Sequence, residues 1–182
     1  MKAIQYVVLS RSDIADARAW SDRILGLVDG RVNRAGSFNV DRYYIGFLGE
    51  IGFARWANAN GLIYKHNINL DGQSSEPEFV ILRDGRWETF DVKAAKAGNG
   101  VSRMLSPIAG SRLDSDWYIG AVAHDDGSRL VALHGVISRD EFLSAPPVDV
   151  GHGPSHCFML KDLPGMDEFF ADFDRRREVR GG

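Results

Sequence analysis

The chain predicts a mixed α/β (α+β) domain in which a central mixed β-sheet, assembled from hairpins, is flanked by helices. The segments EFVILR (78–83) and RWETFDVKA (86–94) are separated only by Asp84-Gly85, and DWYIGAVA (116–123) and RLVALHGVI (129–137) only by HDDGS. Each pair reads as two antiparallel strands joined by a turn. Segments with helical spacing of apolar residues lie before and after them. The length of 182 residues suits a single domain, 1–182, with its own core.

Residues 2–9 (KAIQYVVL) read as a first strand. Ser12 or Asp13 is placed to cap a helix reaching about Leu25, with Ile14, Ala17, Ile24 and Leu25 on its apolar side. The polar, Gly-containing stretch 29–42 reads as a loop, and a second helix runs from about Tyr43 to Ala59, closed by Asn58, Asn60 and Gly61. LIYKHNINL (62–70) reads as a strand and DGQSSEP (71–77) as a turn. Residues 97–115 combine Gly, Ser and Pro with few apolar residues and read as a flexible loop. Ser138 with Glu141 matches a capping box opening a short helix. Pro146-Pro147 and the Gly/His-rich segment to Ser155 read as a connector, and a last strand (156–163) and helix (166–177) follow. The sequence contains no internal repeat and no low-complexity segment.

A hydrophobic fraction of 44% and a charged fraction of 26% are ordinary globular values and exclude wholesale disorder. The apolar run in MKAIQYVVLSRSD is too short for a signal peptide, and no stretch approaches a membrane span, so a cytoplasmic protein with no membrane partner is expected. Cys157 is the only cysteine, which rules out an internal disulfide and fits a reducing compartment. The net charge of −3 argues against binding nucleic acid by bulk charge. Positive charge is nonetheless grouped, at Lys93, Lys96, Arg103 and Arg112, and at Arg175, Arg176, Arg177 and Arg180, where it reads as a solvated tail.

The tetrad Phe90-Asp91-Val92-Lys93 is the most informative. Alternation along a strand sends Phe90 and Val92 to one face and Asp91 and Lys93 to the other. An aspartate so placed can hold a metal ion, and a lysine beside it can stabilise charge developing on a reacting group. An exposed ion pair on one strand face would explain the same triplet. Glu78 opens the partner strand after Pro77, which suits a strand start, and the Asp84-Gly85 turn makes the two strands neighbours. Glu78 and Asp91 can therefore approach on one surface. Glu50 lies in IGFLGEIGFARWANANG, where its helical neighbours Phe47, Phe53 and Ala54 make an uncompensated carboxylate costly. Gly46, Gly49 and Gly52 would let that helix approach a sheet closely.

Gly49-Glu50 on a helix, Pro77-Glu78-Phe79, then Asp91-Val92-Lys93, resemble the PD-(D/E)xK, or restriction-endonuclease-like, nuclease superfamily, over about residues 43–143. DWYIGAVA and HGVISRDEF are similar to the strand and short helix that follow the lysine strand in phage and bacterial members. The resemblance implies a restriction-endonuclease-like core and a metal-dependent nuclease that hydrolyses phosphodiester bonds in DNA, as an endo- or exodeoxyribonuclease. It implies Mg²⁺ as cofactor, with Mn²⁺ as a substitute, Glu78 and Asp91 as metal ligands, Glu50 as an auxiliary acid and Lys93 as the residue that orients or activates water. The family's first acid is usually Asp, so Asp71 rivals Glu78 as first ligand. Lys96 and Arg103, in the segment after the lysine strand, are the candidate substrate contacts. A homodimer is compatible with the sequence.

Other assignments carry less. His152, His156 and Cys157 lack the second cluster that structural zinc needs. Trp20, Trp56, Trp87 and Trp117 are spread over separate elements, as core residues are. Two alternatives to catalysis stand: a catalytically silent nuclease-fold module that binds nucleic acid or a protein, and a structural subunit with an incidental D-x-K.

Overall fold

The computed structural model describes residues 3–28, 38–70, 76–98, 103–107, 113–149 and 154–175. Strand β1 (Gln5–Val8) precedes helices α1 (Arg11–Val28) and α2 (Phe38–Ala59) and the short strand β2 (Tyr64–His66). The first hairpin is β3 (Phe79–Arg83) and β4 (Arg86–Lys96); β5 (Arg103–Pro107) follows, and the second hairpin is β6 (Trp117–Ala123) and β7 (Leu130–Ser138). Helix α3 (Arg139–Ser144), strands β8 (Pro147–Asp149) and β9 (Pro154–Met159), a 3-10 turn at Leu160–Asp162 and helix α4 (Met166–Phe169) complete the described chain.

The architecture is mixed α+β. A six-stranded sheet has the order β1-β7-β6-β4-β3-β2, with β4 and β6 parallel and the other neighbours antiparallel. Parallel neighbours need a crossover connection. Residues 97–116 make it, and on the way β5 joins a second sheet of order β5-β9-β8. Asp84 and Gly85 both have positive φ, 49° and 74°, as a two-residue type I′ turn requires. Ser138 and Glu141 form the reciprocal capping box at the start of α3. Among the described residues no helix is long and apolar enough to cross a membrane.

Several local expectations change. Ser10, not Ser12 or Asp13, caps α1: its hydroxyl accepts from Asp13 N (3.1 Å) while Asp13 Oδ2 accepts from Ser10 N (2.8 Å). Helix α2 begins at Phe38, inside the stretch expected to be loop, and residues 29–37 of that stretch lie outside the described residues. Propensity differences of a few tenths of a kcal/mol are easily overridden by packing. Strand β2 is cut to Tyr64–His66, the residues in register with Ile81, Val80 and Phe79 of β3. The segment 97–115 is not wholly loop, since β5 pairs with β9, a partner about fifty residues away that local composition does not announce. The expected connector carries β8 and the start of β9, with Pro147 at the first position of an edge strand, where its missing N–H is tolerated. The C-terminal helix stops at Phe169, and Phe170 and Phe173 turn into the core; residues from 176 onward lie outside the described residues.

One face of the large sheet packs on α2. Phe79, Ile81, Phe90, Val92, Ile119 and Ala121 meet Phe47, Leu48, Ile51 and Phe53 from α2 and Phe170 and Phe173 from the C-terminal segment. The other face contributes Tyr118, Val122, Ala132 and Ile137 to a smaller core closed by Phe142, Leu160 and Leu163. A β-bulge opposite Gly120/Ala121 inserts one residue into β7, so Leu133 and Val136 both reach the first core despite their odd separation.

Helix α2 is apolar on nearly every side and is accordingly buried between sheet, α1 and C-terminal segment. Its approach to β4 is limited by Gly49: a Cβ there would lie 2.5 Å from Ala94 Cβ and 3.2 Å from Val92 Cγ1. Gly46, one turn earlier, has nothing within 4 Å of such an atom. Gly46→Ala is therefore expected to stabilise the protein by about 0.4–1 kcal/mol, and Gly49→Ala to destabilise it by about 1–3 kcal/mol. Urea melts of the two variants check this, and equal effects of one sign would refute the close approach.

Candidate active site

The site begins with the end of a strand pairing. Strand β3 pairs with β4 from Arg83↔Arg86 only as far as Phe79↔Phe90. Beyond Phe90, β4 continues to Lys96 alongside β6 alone. The edge of β4 that faced β3 would then expose unpaired backbone groups. Glu78, the residue before β3, closes it with its side chain: Val92 N donates to Glu78 Oε2 at 2.7 Å. In return Glu78 N donates to Asp91 Oδ1 at 3.2 Å. The register places Glu78 opposite Asp91, and the two carboxylates meet at the notch where the pairing stops.

Lys93, two residues along β4, shares the face of Asp91 and holds Nζ 3.8 Å from Asp91 Oδ2 and 5.5 Å from the ring centre of Tyr118. Helix α2 delivers Glu50 into the same neighbourhood, one residue after the glycine that touches β4. Glu50 is 7% exposed. Its Oε2 lies 3.2 Å from His66 Nε2, and the His66 ring stacks on Phe79 at 4.2 Å with an interplanar angle of 9°.

Burial decides the protonation states. It pushes the Glu50 carboxyl up to about 8, reinforced by the negative charge of Asp91 and opposed by Lys93. Burial also holds Glu78 well above the usual carboxylate range, with Glu50 and Asp91 acting in the same direction, while Lys93 and the Val92 N–H oppose them. Burial pushes His66 down to about 4. Both shifts favour the uncharged forms at neutral pH, and the His66 tautomer decides which of the two groups donates across their 3.2 Å contact. Tyr118 is raised by burial and by Asp91, so its hydroxyl stays protonated, accepting from Ser115 N at 3.2 Å.

Glu50, Glu78, Asp91 and Lys93 are therefore neighbours. Lys96 is elsewhere: three residues beyond Lys93 it falls on the other strand face and pairs with Asp125 at 3.1 Å. Arg103 has its backbone in β5, opposite Met159 in the second sheet. Asp71, the rival first ligand, lies outside the described residues, as does His152. His156 Nδ1 faces Ala145 O at 3.5 Å, and Cys157 lies on β9. Trp56 is a core residue stacked on Phe53, and Trp87 is 47% exposed. His66 and Tyr118 are neighbours of the site that sequence reasoning missed. Only the pairing of β2 with β3, and of β6 with β4, brings them there.

Glu50, Glu78 and Asp91 offer the kind of oxygen donors that a divalent cation takes. They are crowded in a poorly solvated notch where protonation is the alternative way to relieve like-charge repulsion. As they stand, with Glu78 and Asp91 engaged by backbone N–H groups, no three acidic, His or Cys side chains among the described residues surround a common point.

An acid whose pKa is higher folded than unfolded binds more protons when folded, so stability falls as pH rises between the two values, here 4.5 and about 8 for Glu50. His66 acts oppositely, favouring stability as pH rises from about 4 to 6.5. Above 6.5 only the carboxyl effect remains. In EDTA the thermal midpoint should therefore fall between pH 6.5 and 8. Glu50→Gln should be more stable than the parent at pH 8 and show a shallower fall, not a flat one, because Glu78 acts in the same direction. A parent midpoint that stays level across this window would contradict the buried, protonated Glu50.

Comparison of the chain with protein-family models, with curated proteins and with solved structures finds no match, so the site is defined by its own geometry.

Proposed function

We propose that this protein is a metal-dependent nuclease that hydrolyses phosphodiester bonds in DNA through Glu50, Glu78, Asp91 and Lys93. The observation that carries the reading is the gathering of a buried glutamate, Glu50, and a half-buried one, Glu78, beside Asp91 and a single lysine. Such a cluster opposes folding when ionised and is relieved by a cation. The resemblance of Gly49-Glu50, Pro77-Glu78-Phe79 and Asp91-Val92-Lys93 to the PD-(D/E)xK superfamily supports the same conclusion. Glu78, Asp91 and Glu50 would hold Mg²⁺, or Mn²⁺ in its place. The ion would bind the scissile phosphate and lower the pKa of the attacking water.

The chain's own groups supply the rest. Lys93, held beside Asp91 and over the face of Tyr118, presents a positive charge to the phosphate oxygens and to the attacking water. The N–H groups of Glu78 and Val92 fix the orientation of the Asp91 and Glu78 carboxylates before any ligand arrives. His66 fixes Glu50 in the same way.

A second reading, a silent nuclease-fold module that binds nucleic acid or a protein partner, has one observation in its favour. The Glu78 and Asp91 oxygens already have backbone partners, and this would suffice for a purely structural role.

Cleavage assays on single-stranded and duplex DNA with Mg²⁺, with and without EDTA, separate the two. The nuclease reading expects cleavage that EDTA abolishes. It expects Asp91→Asn and Lys93→Ala to lose at least about 100-fold in rate while retaining a cooperative melt. A parent protein inert with Mg²⁺ and Mn²⁺ on both substrates, or variants as active as the parent, would leave the silent module standing.

A further inference from the structure

We infer that a basic cleft between α1, α2 and the β6–β7 turn is a phosphate-binding subsite for a polynucleotide strand outside the cleavage centre; this rests on the nuclease reading for the identity of the ligand. The cleft has a volume of about 370 Å³ and is lined by Arg11, Arg18, Tyr44, His124, Asp125 and Arg129, among others. The sole carboxylate among these residues, Asp125, is paired with Lys96 at 3.1 Å. Three arginines and the lysine paired with Asp125 therefore stand beside two acids, Asp125 and Asp126, the second 3.6 Å from His124 Nδ1, in a chain whose net charge is −3. Arg18 lies over the Tyr44 ring at 4.5 Å and also hydrogen-bonds the Tyr44 side chain, which holds its guanidinium in the cleft. No carboxylate lies within ion-pair distance of Arg11 or Arg129 among the described residues.

Two of these arginines occupy positions that folding alone disfavours. Arg11 is the first residue of α1, where the helix dipole repels a cation and attracts an anion. Arg129 has φ +58°, a backbone conformation in which a side chain carries a steric cost that glycine does not. Strain of this kind collects at binding sites. Arg129 is held there by its carbonyl, which accepts from Leu9 N at 2.8 Å next to the start of α1, so the two arginines are carried on adjoining backbone.

The placement suits a strand that also reaches the carboxylates. Tyr44 lies six residues before Glu50 on α2, about 9 Å along the axis. Lys96 lies three residues beyond Lys93 on β4, about 10 Å away. Lys96, through its pair with Asp125, ties the end of β4 to the rim of the cleft, on the strand face opposite Lys93. Phosphates bound in the cleft would hold a strand near the notch without taking part in the reaction there. The chemistry recognised is a phosphate oxygen, with no base contact, so the binding is independent of sequence.

The test measures binding in EDTA, by fluorescence anisotropy, of a labelled mixed-sequence DNA strand and of its duplex across a salt series. The proteins are the parent, Arg11→Gln, Arg129→Gly and the double variant, with Arg86→Gln, on the exposed β3–β4 turn, as a general-charge control. The double variant should bind the better-bound form at least about tenfold more weakly, with a log–log salt slope shallower by about 0.7–0.9 for each phosphate it no longer neutralises. Arg129→Gly should melt at or above the parent temperature while binding more weakly, which a structural role for Arg129 would not produce. Affinity and slope unchanged in the double variant would overturn the subsite, as would an equal weakening in Arg86→Gln. So would loss of inorganic phosphate binding with DNA affinity intact, which would mark a small-anion site. A parent that binds DNA through these arginines yet does not cleave it with Mg²⁺ would overturn the nuclease reading alone. A cleaving parent whose cleft variants bind normally would overturn the subsite alone.

Discussion

Helix α2 and strand β4 touch only because Gly49 has no side chain and Ala94 has only a methyl. That contact sets the depth of the whole α2 face against the sheet. Behind it Phe53 packs on Phe79 edge-on at 4.9 Å and on Phe170 at 5.8 Å, and Phe90 meets Phe170 and Phe173. These rings fill the space between helix, sheet and C-terminal segment, and rigid aromatic pairs tolerate little change in separation. Glu50 follows Gly49 directly, so the distance between helix and strand is also the distance between Glu50 and the acids of the notch. Packing and candidate chemistry thus depend on one close approach.

The second constraint is electrostatic. A sheet edge normally ends in solvent, where water satisfies its backbone groups. Here β3 ends under α2, and Glu78 supplies the missing acceptor for Val92 N. A neutral asparagine or glutamine could also accept that bond. A carboxyl adds a second consequence, because its ionisation is opposed by burial and by Glu50 and Asp91 together. The metal-free fold answers by keeping protons on its glutamates. On the proposed reading, binding of the cation would release those protons.

Elsewhere the fold accepts strain for reasons of packing. Gly135 in β7 has φ +151°, and a side chain there would collide with the backbone of Pro164, whose carbonyl accepts from Val136 N at 3.1 Å. The bulge beside it changes the parity of β7, so one strand serves both cores. The strain at Arg129 has no comparable packing role, since its side chain faces a cleft and not a core.

Much of the framework is legible in the sequence. Asp84-Gly85 and the alternation around it specify the β3–β4 hairpin, and Ser138 with Glu141 specify the start of α3, because turns and caps are chemistry between residues a few positions apart. The common face of Asp91 and Lys93 follows from the pleat, and the apolar surroundings of Glu50 from helical spacing. Local patterns stop there. They do not announce the parallel pairing of β4 with β6, the departure of β5 to meet β9, or the extension of α2 back to Phe38. In each, the favourable energy comes from partners distant in the chain. The same holds for His66 against Glu50, Tyr118 beneath Lys93, and the arginines that α1 and the β6–β7 turn bring together. By itself the sequence determined the two hairpins with their turns and the shared strand face of Asp91 and Lys93, since those follow from backbone geometry over short separations. Tertiary structure alone decided where β3 stops, which edge of β4 is left for a side chain to close, and how deeply the acids are buried there, since these depend on contacts that exist only once distant segments have packed.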